Sequence, residues 1–349
     1  MKTDIKSMDK PQLEAYVTQV LGEKAFRAGQ LYSWMHLKLA ESFDEMTDLP
    51  LQFRDRLKRE CGLVTLQTAG KYVSGIDGTV KYLFMLPDGN IIESVLMKYK
   101  HGNSVCISSQ AGCRMGCRFC ASTLDGLQRQ MTPSEMLDEV YRIQRDSGER
   151  VSNVVVMGTG EPLDNYDNLI SFIRILSSPG SLNISQRNIT VSTCGIVPRI
   201  YDLAQLQLQI TLAISLHAAD DETRRGIMPV ARVYSIDDIL KACRFYYSKT
   251  GRRITFEYSL ISGVNDSVSD ADRLADLLKG LNCHINLIPV NPIHERDYRQ
   301  SSRQDIAKFK TVLEKKGRNV TIRREMGRDI QAACGQLRKQ YADSHLGQS

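Results

Sequence analysis

The sequence has no long apolar run. No uninterrupted hydrophobic stretch approaches the roughly 20 residues that a transmembrane helix needs, and the opening MKTDIKSMDK lacks the apolar segment of a signal peptide. We therefore expect a cytoplasmic protein with no membrane contact. No heptad pattern stands out, so a monomer is expected. The composition, 42% hydrophobic and 25% charged over 349 residues, is typical of one sizeable globular protein.

The chain also lacks a fourth metal ligand near its most informative cysteines. Cys113, Cys117 and Cys120 lie in AGCRMGCRFCAST, with three and then two residues between them, and no fourth cysteine or histidine follows nearby. Structural zinc normally takes four protein ligands, whereas three thiolates can hold three irons of a 4Fe-4S cluster and leave the fourth iron open. The spacing favours an open cluster over a zinc knuckle with a distant ligand or three ordinary cysteines. Gly112 and Gly116 supply the tight backbone that wrapping a cluster requires.

The total of nine cysteines is odd, which in a reducing compartment indicates metal-binding and catalytic thiols rather than a disulfide framework. Any disulfide would be transient. Four further cysteines have apolar or strand-like surroundings and are expected to act as small hydrophobic side chains: Cys61, Cys194, Cys243 and Cys283.

Positive charge is concentrated near the C-terminus. Residues 301–349 contain eleven Lys or Arg against five acidic residues, an excess equal to the net charge of +6 of the whole chain. Such a concentration is typical of a polyanion-binding surface, although a solvated helix face is the alternative for residues 303–318. The tighter group Arg323, Arg324 and Arg328 shortly precedes Cys334 and favours nucleic acid.

The pattern along the chain divides it into four regions. Residues 1–68 have apolar positions at helical spacing and predict a small helical accessory domain. Residues 69–103 contain two β-rich runs around the turn Pro87-Asp88-Gly89-Asn90 and predict a β-hairpin extension. Residues 104–300 form the core, and residues 301–349 form the C-terminal basic segment.

Short β-rich runs alternate with helical stretches in the core and predict an α/β fold, a parallel (β/α)6 partial barrel. The predicted strands are SVCISSQ, NVVVMG, NITVST, ITLAISLH, ITFEYSL and HINLIPVN. A capping box beginning at Thr132-Pro133 predicts the start of a helix. The strand C-terminal ends build the active site in such barrels. Those ends carry Gly160, Glu161, Ser192, Ser215, Leu216, His217 and Asn291.

The string GTGEPL superficially suggests a dinucleotide site, but it lacks the third glycine of that motif and the acidic residue expected on the next strand. A dinucleotide-binding fold is therefore excluded.

Several motifs together resemble the RlmN family, the dual-specificity ribosomal and transfer RNA adenine-C2 methyltransferases of the radical S-adenosylmethionine (SAM) superfamily. They span roughly residues 93–340: CISSQAGCRMGCRFCA, MGTGEPL, TVSTCGIVP, LAISLHAADDETRRGIMPV, FEYSLISGVNDS, NLIPVNP and RREMGRDIQAACGQL. The resemblance implies methylation of an adenine in the peptidyl transferase centre of 23S rRNA and of an adenine beside the anticodon in some tRNAs. It also implies a radical SAM partial barrel for residues 104–300.

The resemblance further implies the cofactors. One 4Fe-4S cluster is expected on Cys113, Cys117 and Cys120, its open iron chelated by SAM, with two SAM molecules used per turnover. The predicted SAM-binding residues are the seven strand-end residues: Gly160 and Glu161 for the ammonium group, Ser192 and Ser215 for the ribose or carboxylate, Asn291 for the adenine or ribose edge, and Leu216 and His217 beside them. His217 as a purely structural histidine is an equal alternative.

Carbon 2 of adenine lies between two ring nitrogens and is too electron-poor to attack the SAM methyl group, whereas a thiolate is a good nucleophile. By resemblance, Cys334 accepts a methyl group, loses a hydrogen to the 5'-deoxyadenosyl radical and adds to C2 as a methylene, giving a covalent protein-RNA adduct. Cys106 matches the resolving cysteine that releases the product through a disulfide. Glu93 matches the proton acceptor by its offset, with a plain strand residue as the alternative.

Other functions stay open at this stage. The related family that methylates adenine C8 and confers antibiotic resistance shares the cluster and both cysteines, and Thr159 stands where the C2 family more often has methionine. A zinc-dependent RNA-binding module, an electron-transfer protein and a radical activase of a protein glycine are the alternatives from other classes. The expected partners are 23S rRNA, tRNA and a flavodoxin-type electron donor.

Overall fold

The computed structural model of the protein describes residues 2–100, 102–293 and 297–332. The strands in these ranges are β1 (Thr3–Asp4), β2 (Cys61–Gly62), β3 (Gln67–Val73), β4 (Val80–Met85), β5 (Ile91–Tyr99), β6 (Gly102–Ile107), β7 (Gln110–Gly112), β8 (Leu127–Gln130), β9 (Val151–Val156), β10 (Ile189–Thr193), β11 (Thr211–Ser215), β12 (Ile254–Leu260), β13 (Cys283–Pro289) and β14 (Val320–Ile322). The α-helices are α1 (Lys10–Ala15), α2 (Phe26–His36), α3 (Leu51–Glu60), α4 (Pro133–Ser147), α5 (Tyr166–Leu176), α6 (Val197–Gln205), α7 (Asp221–Ile227), α8 (Ile236–Thr250), α9 (Val268–Leu277) and α10 (Arg303–Lys315).

One sheet dominates the fold. Its strand order is β14-β13-β12-β11-β10-β9-β6-β5-β4-β3, and every pair from β6 to β14 is parallel. Helices connect successive parallel strands, as parallel pairing requires. The predicted α/β fold with a parallel core is confirmed, and β14 adds one parallel strand that the sequence patterns did not predict.

The predicted hairpin is an extension of the same sheet. Strands β4 and β5 pair antiparallel around the turn at residues 86–90, and β5 pairs antiparallel with β6. Strand β3 adds an outer antiparallel strand. The register between β5 and β6 places Val95 opposite Cys106. Because side chains alternate along a strand, Glu93, Val95 and Met97 share one face of the sheet with Cys106.

The N-terminal helices pack against α4. Lys6 is buried and forms an ion pair with Asp138 of α4, whose other carboxylate oxygen accepts a hydrogen bond from Leu66 N at 2.6 Å. His36 of α2 lies 3.0 Å from the hydroxyl of Tyr141. The start of α4 follows local sequence rules, because Thr132 and Glu135 form the predicted capping box. None of the helices within the described ranges is long and apolar enough to cross a membrane.

Candidate functional site

A cavity of about 160 Å³ lies at the carboxyl ends of the parallel strands. Its wall combines the cysteine loop, the loops after β9 to β11 and the ends of β12 and β13. Of the predicted site residues, those that line it are Cys113, Cys117, Cys120, Gly160, Glu161, Ser192, Ser215, His217 and Asn291. The carboxyl ends of the parallel strands therefore bring together side chains that are distant in sequence.

The cysteine loop has a backbone that only glycine permits at one point. Gly112 has φ +76°, and a Cβ there would lie 1.9 Å from the carbonyl oxygen of Gly126. The amide of Cys113 donates to that same carbonyl at 3.0 Å. A side chain at position 112 would therefore break the turn that introduces the first cysteine.

Two contacts hold the rest of the loop. Arg118 N donates to Ile227 O at the end of α7 at 2.9 Å, and the Thr123 hydroxyl lies within hydrogen-bonding distance of the carbonyls of Cys117 (3.1 Å) and Cys120 (2.9 Å). These hydrogen bonds hold the loop against α7 and against its own backbone.

The donor set suits a cluster held by three thiolates. Burial, together with the neighbouring thiols and carboxylates, raises the pKa of Cys113 to about 12 and that of Cys117 well above its ordinary value. Binding iron would displace these protons. Across residues 2–100, 102–293 and 297–332, no group of three or more His, Cys, Asp or Glu side chains is arranged to hold one metal ion. A cluster makes a different demand, because each thiolate binds a different iron.

The loop after β9 approaches the backbone of the neighbouring strand closely. A Cβ on Gly158 would lie 2.7 Å from Ile107 O. Gly160 has φ +111°, and a Cβ there would lie 2.7 Å from the Cβ of Gln110. Close packing therefore requires glycine at both positions. Both glycines also line the cavity.

Glu161 is buried and joins two strand ends. Its carboxylate accepts hydrogen bonds from Leu163 N at 3.0 Å and from Cys194 N at 2.7 Å. Burial raises the pKa of Glu161, and these amide donors oppose the rise. The side chain therefore fixes the loops after β9 and β10 as well as lining the cavity.

Ser192 and Ser215 end adjacent strands, with their hydroxyl oxygens 3.3 Å apart. His217 Nδ1 accepts a hydrogen bond from Ser259 N at 2.9 Å, and its ring packs edge-on against Phe119. Burial and the charge of Arg224 lower the pKa of His217 to about 3, so its imidazole is neutral. His217 therefore fixes a strand end and also lines the cavity.

Leu216 was predicted at the site together with Ser215 and His217. Among the described residues that line the cavity, both neighbours are present and Leu216 is not. It is fully buried in the main hydrophobic core, and its amide donates to Glu257 O at 3.1 Å. Ser215 and His217 reach the cavity, whereas the Leu216 side chain faces the core.

Sequence reasoning missed Glu257 and assigned Arg323 to the basic group near the C-terminus rather than to the site, yet both line the cavity. Glu257 is buried on β12, accepts a hydrogen bond from the Asn286 amide at 3.2 Å and lies 3.7 Å from the Arg323 guanidinium. Burial raises the pKa of Glu257, and Arg323 opposes the rise. The one acidic residue within the apolar run ITFEYSL was the available signal. Arg323 had none, since it follows the unpredicted strand β14.

Arg224 was missed as well. Its side chain is fully buried, and its guanidinium donates to three backbone carbonyls: Cys194 O at 2.7 Å, Leu216 O at 3.1 Å and Tyr234 O at 3.3 Å. Two of these carbonyls belong to the loops after β10 and β11. Arg224 therefore ties the loops that carry cavity residues to α7.

Cys106 and Glu93 lie beside the cavity rather than in its wall. Cys106 packs in a buried cluster with Val95, Met97, Met326 and Ala332, and Met157, which lines the cavity, packs against that cluster. The cluster thus joins the hairpin to the C-terminal segment.

Glu93 is buried on the same sheet face as Cys106, with its carboxylate 3.9 Å from Lys81 Nζ. Cys334 lies outside the described residues.

Comparisons with known proteins place this site in a family. Residues 107–305 match the family model "Radical SAM superfamily", and residues 3–63 match "Ribosomal RNA large subunit methyltransferase N-terminal domain". A protein from Lachnospira eligens named "Probable dual-specificity RNA methyltransferase RlmN" is 64% identical over 98% of this chain and 97% of its own length. A protein of the same name from Lachnoclostridium phytofermentans is 61% identical over 99% of this chain and 97% of its own.

Solved structures agree. The crystal structure of a radical SAM methyltransferase from Sphaerobacter thermophilus is 42% identical and covers 96% of this chain and 99% of its own, with a TM-score of 0.92. Streptococcus suis SuiB, crystallised bound to S-adenosylmethionine, shares the fold at 14% identity and a TM-score of 0.50, over 64% of this chain and 50% of its own. A radical SAM domain implies a 4Fe-4S cluster and SAM, which the three-thiol loop suits. The chain belongs to the RlmN family and is a radical SAM RNA methyltransferase.

Proposed function

We propose that this enzyme methylates C2 of an adenine in the peptidyl transferase centre of 23S rRNA and of an adenine beside the anticodon in some tRNAs. One observation carries the proposal. The cavity that gathers the three thiols and the strand-end polar groups adjoins a buried cluster in which Cys106 packs against the segment leading to Cys334. The names of the full-length relatives support the same substrates.

The residues that line the cavity support a set of cofactor ligands. We propose that Cys113, Cys117 and Cys120 hold the cluster, one iron each. Together with a SAM molecule, the bound cluster supplies the 5'-deoxyadenosyl radical. Glu161 and the backbone at Gly160 accept hydrogen bonds from the SAM ammonium group.

The rest of SAM meets the ends of the neighbouring strands. The paired hydroxyls of Ser192 and Ser215 bind the ribose or the carboxylate, and Asn291 meets the adenine or ribose edge. His217 stays neutral and keeps the end of β12 in place through the Ser259 amide. Two SAM molecules are consumed per turnover.

Two thiols carry the methyl group and release the product. The Cys334 thiolate takes the methyl group of the first SAM, and the methylated sulfur becomes the point of attachment to adenine C2 after loss of one hydrogen atom. The Cys106 thiolate then attacks the Cys334 sulfur and forms a disulfide as the carbon-sulfur bond breaks. The electron pair of that bond stays on the carbon, which takes up a proton to become the methyl group, and the unpaired electron left by radical addition would return to the cluster that the three cysteines would hold. This disulfide is an intermediate that the electron donor reduces before the next turnover.

Glu93 is proposed to accept the C2 proton. It lies on the same sheet face as Cys106, on the neighbouring strand, and it is buried beside Lys81. Its burial supports this role, because free water is kept away from a proton taken there.

The other parts of the chain have proposed roles of the same standing. We assign residues 1–68 to an accessory domain, residues 69–103 to the hairpin extension, residues 104–300 to the catalytic core and residues 301–349 to the basic segment with Cys334. A flavodoxin-type protein is the proposed electron donor. The enzyme is proposed to act as a cytoplasmic monomer.

The test is anaerobic reaction of the reconstituted enzyme with a 23S rRNA fragment, SAM and reductant, followed by nucleoside digestion and mass detection. We expect 2-methyladenosine from the wild type. Cys334→Ala should cleave SAM in part yet form no methyladenosine. Cys283→Ala should behave as the wild type, because it removes a buried thiol at the start of β13, whereas the cavity lies at the carboxyl ends of the strands.

The contradicting outcomes are distinct. Methyl transfer by Cys334→Ala would refute the covalent route. Formation of 8-methyladenosine would move the activity to the C8 family. SAM cleavage without any methyladenosine would refute the RNA substrate.

A further inference from the structure

The segment that leads to Cys334 is tied to a remote loop of the hairpin. We call residues 326–332 the strap and residues 74–78, which connect β3 to β4, the clasp loop. The clasp loop and the strap are about 250 residues apart in sequence, yet carboxylates from each side bind the other.

The first carboxylate belongs to the strap. Asp329 Oδ1 accepts a hydrogen bond from the Ser74 hydroxyl at 2.7 Å, and its Oδ2 accepts one from Gly75 N at 2.9 Å. Both oxygens of Asp329 are thus used on the clasp loop.

The second carboxylate belongs to the clasp loop. Asp77 Oδ2 accepts a hydrogen bond from Gly327 N at 3.0 Å, and its Oδ1 accepts one from Thr79 N at 3.0 Å. Burial would raise the pKa of Asp77, but these donors lower it to about 2, so the carboxylate is charged and the hydrogen bonds are charge-assisted.

Gly327 also forms hydrogen bonds with later residues of the strap. Gly327 O accepts hydrogen bonds from Ile330 N at 3.2 Å and Ala332 N at 3.0 Å. Gly327 has φ +63°, and a Cβ there would lie 2.8 Å from the Ala332 side chain and 3.0 Å from that of Thr79. Holding Gly327 against β4 therefore also fixes Ala332.

The strap ends at the proposed reaction centre. Ala332 and Met326 pack in the buried cluster of Cys106. Both also line a second cavity of about 40 Å³, which shares Asn291 and Arg323 with the main cavity. Cys334 is two residues beyond Ala332 in the sequence.

We propose that Asp77 and Asp329 are positioning residues that present Cys334 to SAM and to Cys106. The inference rests on the proposed function of Cys334. The expected effect is entropic. A strap that is held at Gly327 and Asp329 confines the reactive sulfur, and confining a reacting group raises the rate of its reaction. The prediction is that loss of these contacts slows methylation of Cys334 without removing any group that touches SAM.

Alanine removes both acceptor oxygens of each carboxylate, whereas asparagine keeps one. Asp77→Ala therefore loses the bond from Gly327 N as well as the bond from Thr79 N. Asp329→Asn can still accept from Gly75 N, but the Ser74 oxygen already accepts from Ile76 N at 3.1 Å and Asp77 N at 3.3 Å, so the amide NH₂ gains no acceptor there. Asp77→Ala and Asp329→Ala should therefore disrupt the strap, and Asp329→Asn should have a smaller effect.

The experiment has two readouts on the reconstituted full-length enzyme. Hydrogen-deuterium exchange of peptides covering residues 74–79 and 326–332 reports the contact itself. Mass spectrometry of the Cys334 peptide after incubation with SAM and reductant reports its methylation. Asp266→Ala is the matched control, because Asp266 likewise accepts from a glycine amide and a serine hydroxyl, at 3.0 Å and 2.7 Å, but in the loop after β12.

We expect Asp77→Ala and Asp329→Ala to raise exchange in both peptides and slow Cys334 methylation at least about tenfold, the equivalent of about one charge-assisted hydrogen bond. Asp329→Asn should lie between Asp329→Ala and the wild type, and Asp266→Ala should stay at the wild-type level. If Asp77→Ala also raises exchange in β12, it has lost the global fold, and Asp329→Ala decides the comparison.

Unchanged exchange, or raised exchange with methylation at the wild-type rate, overturns the positioning role. Absence of Cys334 methylation in the wild type instead refutes the proposed function and the inference with it.

Discussion

Replacing Arg224 by methionine should loosen the catalytic loops. Arg224 is fully buried on α7, and its guanidinium holds the carbonyls of Cys194, Leu216 and Tyr234. Methionine fills much of the same space but donates no hydrogen bond. Two buried carbonyls, of Cys194 and Leu216, and the partly buried carbonyl of Tyr234 would then lose this donor, while the variant regains the desolvation cost of the charge.

The magnitude follows from that balance. Each buried acceptor left unsatisfied costs about 1–3 kcal/mol, and removing the charge offsets part of that loss because burying a charge is unfavourable. Burial lowers the pKa of Arg224, since desolvation disfavours the charged guanidinium. We therefore expect Arg224→Met to lower the free energy of unfolding by about 3 kcal/mol.

The assay is urea unfolding followed by circular dichroism, at pH 7 and with equal m-values as the criterion for comparison. Arg225→Met is the matched control, because Arg225 is the next residue of α7 and is exposed; it should change stability by less than about 0.5 kcal/mol. Arg224→Lys, which keeps the charge but not the planar fork of donors, should fall between the two. Wild-type stability in Arg224→Met would refute the role assigned to the three carbonyl bonds.

Three further predictions concern pH, the glycine loop and the cluster. Burial lowers the pKa of His36 to about 3, so the unfolded chain binds a proton that the folded chain does not; stability should fall as pH drops below about 6.5, by about 2 kcal/mol at pH 5, and this part of the melting-temperature slope should vanish in His36→Gln or the sign is wrong. Gly160→Ala adds a Cβ 2.7 Å from a side-chain carbon at φ +111° and should lower SAM affinity in calorimetry at least about tenfold, an energy near 1.4 kcal/mol; Gly263→Ala, with positive φ but open space around it, should bind normally, and equal effects would contradict the clash. Cys117→Ser should lose bound iron in a colorimetric assay while Cys194→Ser, in the same cavity, keeps it; iron loss in the second variant alone would contradict the proposed ligand set.

Local patterns predicted the parts of the fold that depend on neighbouring residues. The capping box at Thr132, the hairpin turn and the six β-rich runs all follow from short-range chemistry, and the structure contains each of them. Strand β14 was missed because three residues, Val320–Ile322, are too short a run to give a β signal. Its strand conformation depends on pairing with β13, which is a long-range contact.

The parts of the cavity wall whose position depends only on sheet topology were predicted. Parallel strands end at one edge of a sheet, so Ser192, Ser215 and Asn291 were expected together and all three line the cavity. The side chain of Leu216, predicted with them, packs in the core instead. The burial of Arg224 could not be predicted from sequence, since a charged side chain shows neither its depth nor its partners until distant elements pack around it.

The central claim, that Cys334 carries the methyl carbon to RNA and Cys106 releases it, is tested most directly with Cys106→Ala. The variant should be reacted anaerobically with the 23S rRNA fragment, SAM and reductant, resolved by denaturing electrophoresis and digested for mass spectrometry. The account predicts a protein-RNA species whose Cys334 peptide is joined through one methylene carbon to adenine. Release of free methyladenosine by this variant at the wild-type rate, with no such adduct, would contradict it.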